Sequence, residues 1–494
     1  MQNPLLYEIS TLPWLHELAK EEGAWLRLSE VPNAEWDRLA NLGFDLIWLM
    51  GMWKKSPEGR RISLLREDTL PVYDSALPGW TEADVLGSPY SIQSYEPDPA
   101  IGTWQDLKLV QGKLRTRGMG LILDFVPNHT GPDHPWVTSH PERFVWGPEG
   151  AWEEQTKSYF RQSSGGQDHA IARGRDPYFD PWPDTAQLNY FAPQARAAML
   201  GELKTISEYC DGVRCDMAML VLNDIFSSTW KEDLSQATPP TEFWQDVRSE
   251  LPEFTLIAEA YWGTEGKLLE LGFDYVYDKT LYDRCRFSSA AEVRGHLLAD
   301  PIAQESLVRF LENHDEPRAA DVFAEELHRA AAILTYTLPG LKLVNHGQME
   351  GLKVHLPVQL ARTSPDKIDF ALLEFYGRLL GLRRHPNFST GVWSLLEARP
   401  FAEPSNENLI AYCWRMGEAM HLVVVNLSPN FSQARIPLEA LIGGSGRTAR
   451  WRLTDLLTGQ HYDREADEMR NPGLHVILNS YQSHVFALEA LGRI

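Results

Sequence analysis

Four acidic side chains follow apolar, strand-like runs: Asp124 in LILDFVPNHTG, Asp216 in GVRCDMAML, Glu259 in LIAEAYW and Asp315 in FLENHDEP. A carboxylate withdrawn from water is costly unless paired or hydrogen-bonded, so any one of these alone reads as a cap or an ion pair. Several converging on one pocket read as acid, base or nucleophile chemistry. Arg214 stands two positions before Asp216, and strand side chains alternate faces, so the two share a face and the cation keeps Asp216 ionised. Glu259 is flanked by Ala258, Ala260, Tyr261 and Trp262, neighbours that favour its protonated form. One charged and one neutral acid suit the breaking of a glycosidic bond, which needs negative charge beneath an oxocarbenium-like centre and a proton on the departing oxygen.

Such residues must be carried by strands. Apolar runs at 5–10, 44–51, 121–126, 211–217, 254–260, 273–278, 307–312 and 341–346 alternate with helix-like stretches such as PQARAAMLGELKTISEY. Eight strands alternating with helices predict an α/β fold, a closed (β/α)8 TIM barrel whose chemistry sits at the C-terminal ends of the strands. An open doubly wound sheet also alternates, but the phosphate-binding glycines it would need after an early strand are missing. Residues 131–190, rich in Gly, Pro and Trp and without helical period, read as a lid inserted after strand three. From 390 to 494 strands follow one another without helices (NLIAYCWRM, MHLVVVNLS, TARWRLTDLL, GLHVILN), with SPN and GGSG as turns, which predicts a C-terminal antiparallel β-sandwich. The barrel then comprises 1–130 and 191–389.

With those motifs in place, the chain resembles glycoside hydrolase family 13, the α-amylase family, as a divergent subgroup. DFVPNH (124–129), GVRCD (212–216), IAEAYW around Glu259 and ENHDE (312–316) fall in that family's order and on the expected strands. The resemblance implies that Asp216 is the nucleophile, Glu259 the general acid and base, and Asp315 a stabiliser of the distorted sugar. It implies substrate contacts from Tyr90, His129, Arg214 and His314, with Tyr95 the second aromatic of the Tyr90 motif, Asp124 a structural acid and Asn128 a lid anchor. It implies retention of anomeric configuration, which requires the two carboxyl groups about 5–5.5 Å apart rather than about 6.5–9.5 Å. The activity it implies is cleavage of α-glucosidic bonds, α-1,4 above all, in maltooligosaccharides or related α-glucans. The alternatives are transglycosylation through the same intermediate and a non-catalytic relative, against which the retention of all three acids speaks.

The pattern has departures. Met219 and Leu220 stand where many relatives carry a Lys-His pair that touches the leaving sugar, and Ser91 and Ser94 replace two aspartates in YSIQSY. With Asn128 alone matching the calcium pattern, no cofactor is expected and a structural calcium is not favoured, although Asp176, Asp180 and Asp184 in the inserted segment leave an ion open. His134 and His140 read as surface or capping groups, Cys215 as packing on the far face of its strand, and Tyr412, Trp414 and Trp451 as core aromatics rather than a sugar platform.

Composition narrows the partners. The 68 acidic residues outnumber the 46 basic ones, and the net charge of −22 repels nucleic acid and anionic membranes. The N-terminus lacks a basic start with an apolar run, no stretch approaches a bilayer span, and four cysteines without a CxxC pair argue for a reducing compartment; a cytoplasmic location is the expectation. No oligomeric state is assigned.

Overall fold

The computed structural model describes residues 3–491 except 165, 299–300, 364–365, 403 and 443–449, so the GGSG turn lies outside the described residues. Eight strands, β1 (Leu5–Ser10), β2 (Leu46–Met50), β3 (Gly120–Phe125), β4 (Gly212–Cys215), β5 (Thr255–Ala258), β6 (Tyr275–Tyr277), β7 (Leu307–Arg309) and β8 (Leu341–Asn345), form a closed barrel in the order β1-β8-β7-β6-β5-β4-β3-β2. Each coincides with one of the apolar runs. Their near-continuous apolar character follows from burial on both faces, as in Leu46–Met50 and Gly120–Phe125, where every residue is buried. Gly212 opens β4 because a Cβ there would lie 2.5 Å from the carbonyl oxygen of Thr255 on the neighbouring strand.

The chain divides into two compact units: Tyr7–Tyr277 with Val354–Pro365, and Met1–Leu6 with Asp278–Lys353 and Asp366–Ile494. In the first, the inserted segment leaves and rejoins the barrel through a two-residue ladder that pairs His129 with Gln187 and Thr130 with Ala186. Its body is a hairpin, Tyr159–Ser164 against Gln167–Ala172.

In the second unit, a six-stranded antiparallel sheet (Val392–Leu396, Leu409–Met416, Ala419–Asn426, Ser483–Leu491, Arg450–Asp455, His461–Glu465) and a three-stranded one (Arg399–Pro400, Ser432–Ile436, Leu474–Leu478) make the C-terminal β-sandwich. Leu409, Ala411 and Cys413 share its core with Leu422, Val424, Ile436, Trp451 and Phe486. Strand alternation turns Tyr412 and Trp414 to the other face, against the helix Glu325–Thr337. There the Trp414 indole donates to the Thr337 carbonyl at 2.7 Å, and the Tyr412 hydroxyl meets Thr337 Oγ1 at 2.6 Å. All three aromatics are core residues, two of them by a face the sequence reading did not assign.

Candidate active site

Register brings Asp216 and Glu259 together. Adjacent parallel strands align Asp124 with Arg214 and Arg214 with Ile257, then Phe125 with Cys215 and Cys215 with Ala258. Asp216 and Glu259 occupy the next rung, on strands that parallel pairing sets about 4.8 Å apart. The ladder continues past the strand ends: Asp216 N–H donates to Phe125 O at 2.8 Å, Glu259 N–H to Cys215 O at 3.1 Å, and Ala218 N–H to Glu259 O at 3.0 Å. Cys215 points the other way and is fully buried, as alternation requires.

Arg214, 1% exposed, joins the two carboxylates. Its Nη1 lies 2.8 Å from Asp216 Oδ1 and its Nη2 2.7 Å from Glu259 Oε2. The guanidinium is enclosed by the rings of Trp48, Tyr90 and Tyr277 at 5.4, 5.3 and 5.8 Å. Burial alone would lower its pKa, but Glu259, Tyr90, Tyr277 and Asp216 together raise it well above the ordinary value. The cation is permanent.

Glu259 corrects the expectation from its sequence neighbours. Besides Arg214, its Oε2 accepts the Met217 N–H at 2.7 Å and its Oε1 accepts the Tyr261 hydroxyl at 2.8 Å. Its surroundings are therefore polar rather than the apolar ones that its neighbours in sequence suggest. The Met217 amide reaches it because that residue sits in the left-handed region (φ 41°, ψ 48°), a conformation costing about 1–2 kcal/mol for a side-chain-bearing residue.

The surrounding motif residues divide into supports and lining. Asp124 accepts from the Trp48 indole at 3.1 Å and the Gly51 N–H at 2.9 Å, so it fixes the β2–β3 edge. The Tyr95 hydroxyl is a pin: it donates to Val126 O at 3.0 Å and accepts from Val126 N–H at 2.9 Å. His129 is buried beside Trp182, 5.2 Å between rings, and burial pushes its pKa down to about 4, so it is neutral at ordinary pH. Tyr90 is half-buried with its ring on Arg214.

Asn128 is committed elsewhere than to a cation. Its carbonyl oxygen accepts from Gln187 Nε2 at 3.0 Å and its own amide donates to Gln187 Oε1 at 3.2 Å, closing the neck of the inserted segment. Asp176 caps the N–H groups of Tyr178 and Phe179, and Asp180 faces Lys157. Among the described residues no three His, Cys, Asp or Glu side chains gather in a metal-holding group.

Asp315 and His314 belong to the second unit. β7 ends at Arg309, so the ENHDE motif lies in the turn beyond it, where the Asn313 side chain accepts the N–H groups of Asp315 and Glu316 at 2.9 Å each. His314 is buried with Nε2 3.0 Å from Asp315 Oδ2, whose side chain is 48% exposed. The expectation of apolar surroundings for this acid is therefore wrong. The buried acid of the motif is Glu312, held by Arg318 at 2.6 Å, Ala319 N–H at 2.6 Å and Asn345 at 3.1 Å.

Residues 34–266, which include the rung of Asp216 and Glu259, match the family described as Alpha amylase, catalytic domain. This segment is an alpha-amylase-family catalytic domain. Curated relatives include Alpha-amylase 3 of Dictyoglomus thermophilum (24% identical over 54% of this chain and 54% of that protein) and the cyclomaltodextrinase of Geobacillus thermopakistaniensis (22%, 80% and 64%). Another is the alpha-1,4-glucan:maltose-1-phosphate maltosyltransferase of Salinibacter ruber, 24% identical over 92% of this chain and 65% of that protein. The chain thus spans roughly half to two thirds of these relatives' lengths, 54–65%. The fold is shared with the maltogenic alpha-amylase AmyB of Thermotoga neapolitana (TM-score 0.71, 21% identity, 99% of both chains). It is also shared with a Geobacillus thermoleovorans alpha-amylase complexed with acarbose (TM-score 0.65, 18% identity, 98% of both chains).

The alpha-amylase-family domain carries features that the motif reading passed over. In sequence Tyr261 reads as an apolar neighbour, yet its hydroxyl is on Glu259; the signal is its spacing of two from Glu259, the alternation that pairs Arg214 with Asp216. Tyr178, Phe179 and Trp262 are exposed by 68%, 72% and 40%, which no sequence period foretells. Met219 and Leu220 are buried, so nothing polar replaces the missing Lys-His pair at those positions.

Proposed function

We propose that the protein is a retaining glycosidase acting on α-glucosidic bonds, α-1,4 above all, of maltooligosaccharides or related α-glucans. The observation that carries this reading is the single guanidinium of Arg214 shared by Asp216 and Glu259 on neighbouring strand ends. A shared rung on adjacent strands and a common cation favour the short carboxyl separation, about 5–5.5 Å, that permits direct attack. Asp216 is the nucleophile: Arg214 keeps it ionised, and its charge stabilises the oxocarbenium-like centre before a covalent glycosyl ester forms.

Glu259 is the acid of the first half-reaction and the base of the second. Arg214 and Met217 hold Oε2 with N–H donors that can never accept, so the proton is carried on Oε1. There the Tyr261 hydroxyl serves both states, donating to the carboxylate and accepting from the acid. Asp315 is the proposed hydroxyl-binding stabiliser with His314 orienting it, and Tyr90 and His129 are proposed substrate contacts, the latter as a neutral hydrogen-bonding ring. Residues 131–190 act as a lid, barrel and sandwich as 1–130 with 191–389 and 390–494. The four buried free thiols suit a cytoplasmic location, where short imported maltooligosaccharides are the favoured substrates over starch.

The test is Asp216→Asn, assayed with maltotriose and soluble starch alongside its thermal unfolding. The reading expects hydrolysis to fall by at least about 10⁴-fold with folding retained; undiminished turnover would overturn it.

A further inference from the structure

Within the first unit, the segment Val354–Pro365 is laid as an added strand against the loop that leads to Tyr90. Val85 and Leu360 pair antiparallel, with Leu86 N–H donating to Gln359 O and Ala361 N–H to Asp84 O, each at 2.8 Å. A two-pronged ion pair clamps the end of this pairing: Arg362 Nε and Nη2 lie 2.5 and 3.0 Å from the Asp84 carboxylate. Chiefly through that guanidinium, the Asp84 carboxyl is held down at about 2, so the clamp stays charged at ordinary pH. Arg60 braces the same loop, donating to Val85 O at 2.7 Å and Glu82 O at 2.6 Å. Leu360 sinks into an apolar cluster with Tyr73, Ala76, Leu77 and Val85.

The clamped segment is a wall and not a sugar-binding surface. Leu356, Val358 and Leu360 recur at every second residue and so share a face. With Met50, Leu86 and Pro89 they line a hollow at the ends of β1 and β2. It leaves about 20 Å³ for the centre of a water molecule, which admits a water or two and no sugar ring. Lys55 lines it too, but its ammonium is engaged by Asp98 at 3.1 Å and Gly51 O at 3.3 Å. A glucan threaded past this face would bury hydroxyls against leucine and valine without partners, which is unfavourable.

Strand order gives the wall a direction. Around the barrel Glu259 follows β5, Asp216 follows β4, Asp124 lies on β3, and the wall stands over β2 and β1. Glu259 protonates the departing sugar, so the sugar retained on Asp216, with any glucan before it toward the non-reducing end, extends the other way. Two contacts tie the wall to the reacting centre. Gly51 N–H donates to Asp124 at 2.9 Å, and Pro89, which a Cβ on Gly51 would approach to 3.1 Å, precedes Tyr90, whose ring lies 5.3 Å from the Arg214 guanidinium.

We propose that residues 354–362 close the non-reducing side of the site, so that the protein attacks α-glucans from their non-reducing ends and does not cut within a chain; this rests on the reading of Asp216 and Glu259 above. Arg362 and Asp84 are then positioning residues for specificity: they hold the wall and touch no substrate.

The test gives the full chain three glucans: maltoheptaose, maltoheptaose whose non-reducing end is closed as an ethylidene acetal, and β-cyclodextrin, which has no end. The free-ended chain is expected to turn over at least about 100-fold faster than the other two, and reducing-end-labelled maltoheptaose to shorten from its far end. Arg362→Ala releases the clamp, and the double variant Leu356→Ala with Val358→Ala thins the wall while leaving the clamp intact. Each is expected to raise the ratio of blocked to free turnover about tenfold, with the rate on maltotriose within about twofold of the parent. Comparable rates on free and blocked chains, or on cyclodextrin and maltoheptaose, overturn the proposal while leaving the hydrolase reading intact. A ratio unmoved in whichever variant keeps the parent's thermal unfolding overturns it as well. Failure of the parent protein to turn over maltotriose and all three glucans overturns the underlying reading instead.

Discussion

Aromatic side chains do opposite work in two regions of this chain. In the C-terminal unit Tyr412, Trp414 and Trp451 are 0%, 1% and 3% exposed, and the first two satisfy their polar tips on the helix Glu325–Thr337. Around the strand-end acids, Tyr178, Phe179 and Trp262 stand in solvent on a capped turn and a strained backbone. The first set yields stability by desolvation; the second forgoes that gain and keeps its faces available.

That contrast can be broken in descending order of effect. Asp216→Asn removes a charge whose role is chemical, so kcat falls by at least about 10⁴-fold while the thermal midpoint holds, measured by initial rates and calorimetry. Trp414→Ala should do the reverse, losing about 3–5 kcal/mol in denaturant unfolding, with the rate per folded molecule unchanged.

Acid sensitivity comes next. Burial pushes the pKa values of His129, His134, His328 and His421 down to about 4 in the folded protein. A folded pKa below the unfolded value of about 6.5 means stability is intact above that pH and is lost as pH falls toward 4, by up to about 3 kcal/mol per site. Among the described residues neither ring nitrogen of His421 has a hydrogen-bond partner. His421→Leu should therefore raise stability at neutral pH by about 1–2 kcal/mol and flatten part of the acid slope, read from unfolding curves between pH 4 and 7.

The smallest effect sharpens the site itself. Tyr261→Phe deletes a donor to the ionised form of Glu259, so the basic limb of the pH–rate profile should move upward by up to about one unit with a several-fold change in kcat. A loss of rate without movement of that limb would reduce Tyr261 to packing.

The barrel was legible because its strands are largely buried and leave near-continuous apolar runs, and Asp216 with Arg214 followed from strand alternation. Three things were not. Donors to Glu259 come from Arg214 on the neighbouring strand and Met217 just beyond its end, so Ala258 and Ala260 beside it in sequence misrepresent its surroundings. Asp315 looked enclosed because apolar residues precede it, but β7 stops at Arg309 and the acid emerges on a turn. Trp262 and Tyr178 resemble core aromatics in composition, and only a left-handed backbone and a buried cap turn them outward.

The amide of Met217 has a mechanical meaning. Because the backbone directly after Asp216 grips Glu259, nucleophile and proton carrier ride as one rigid piece. Were the inserted segment to move, the gap across which the bond is exchanged would stay unaltered.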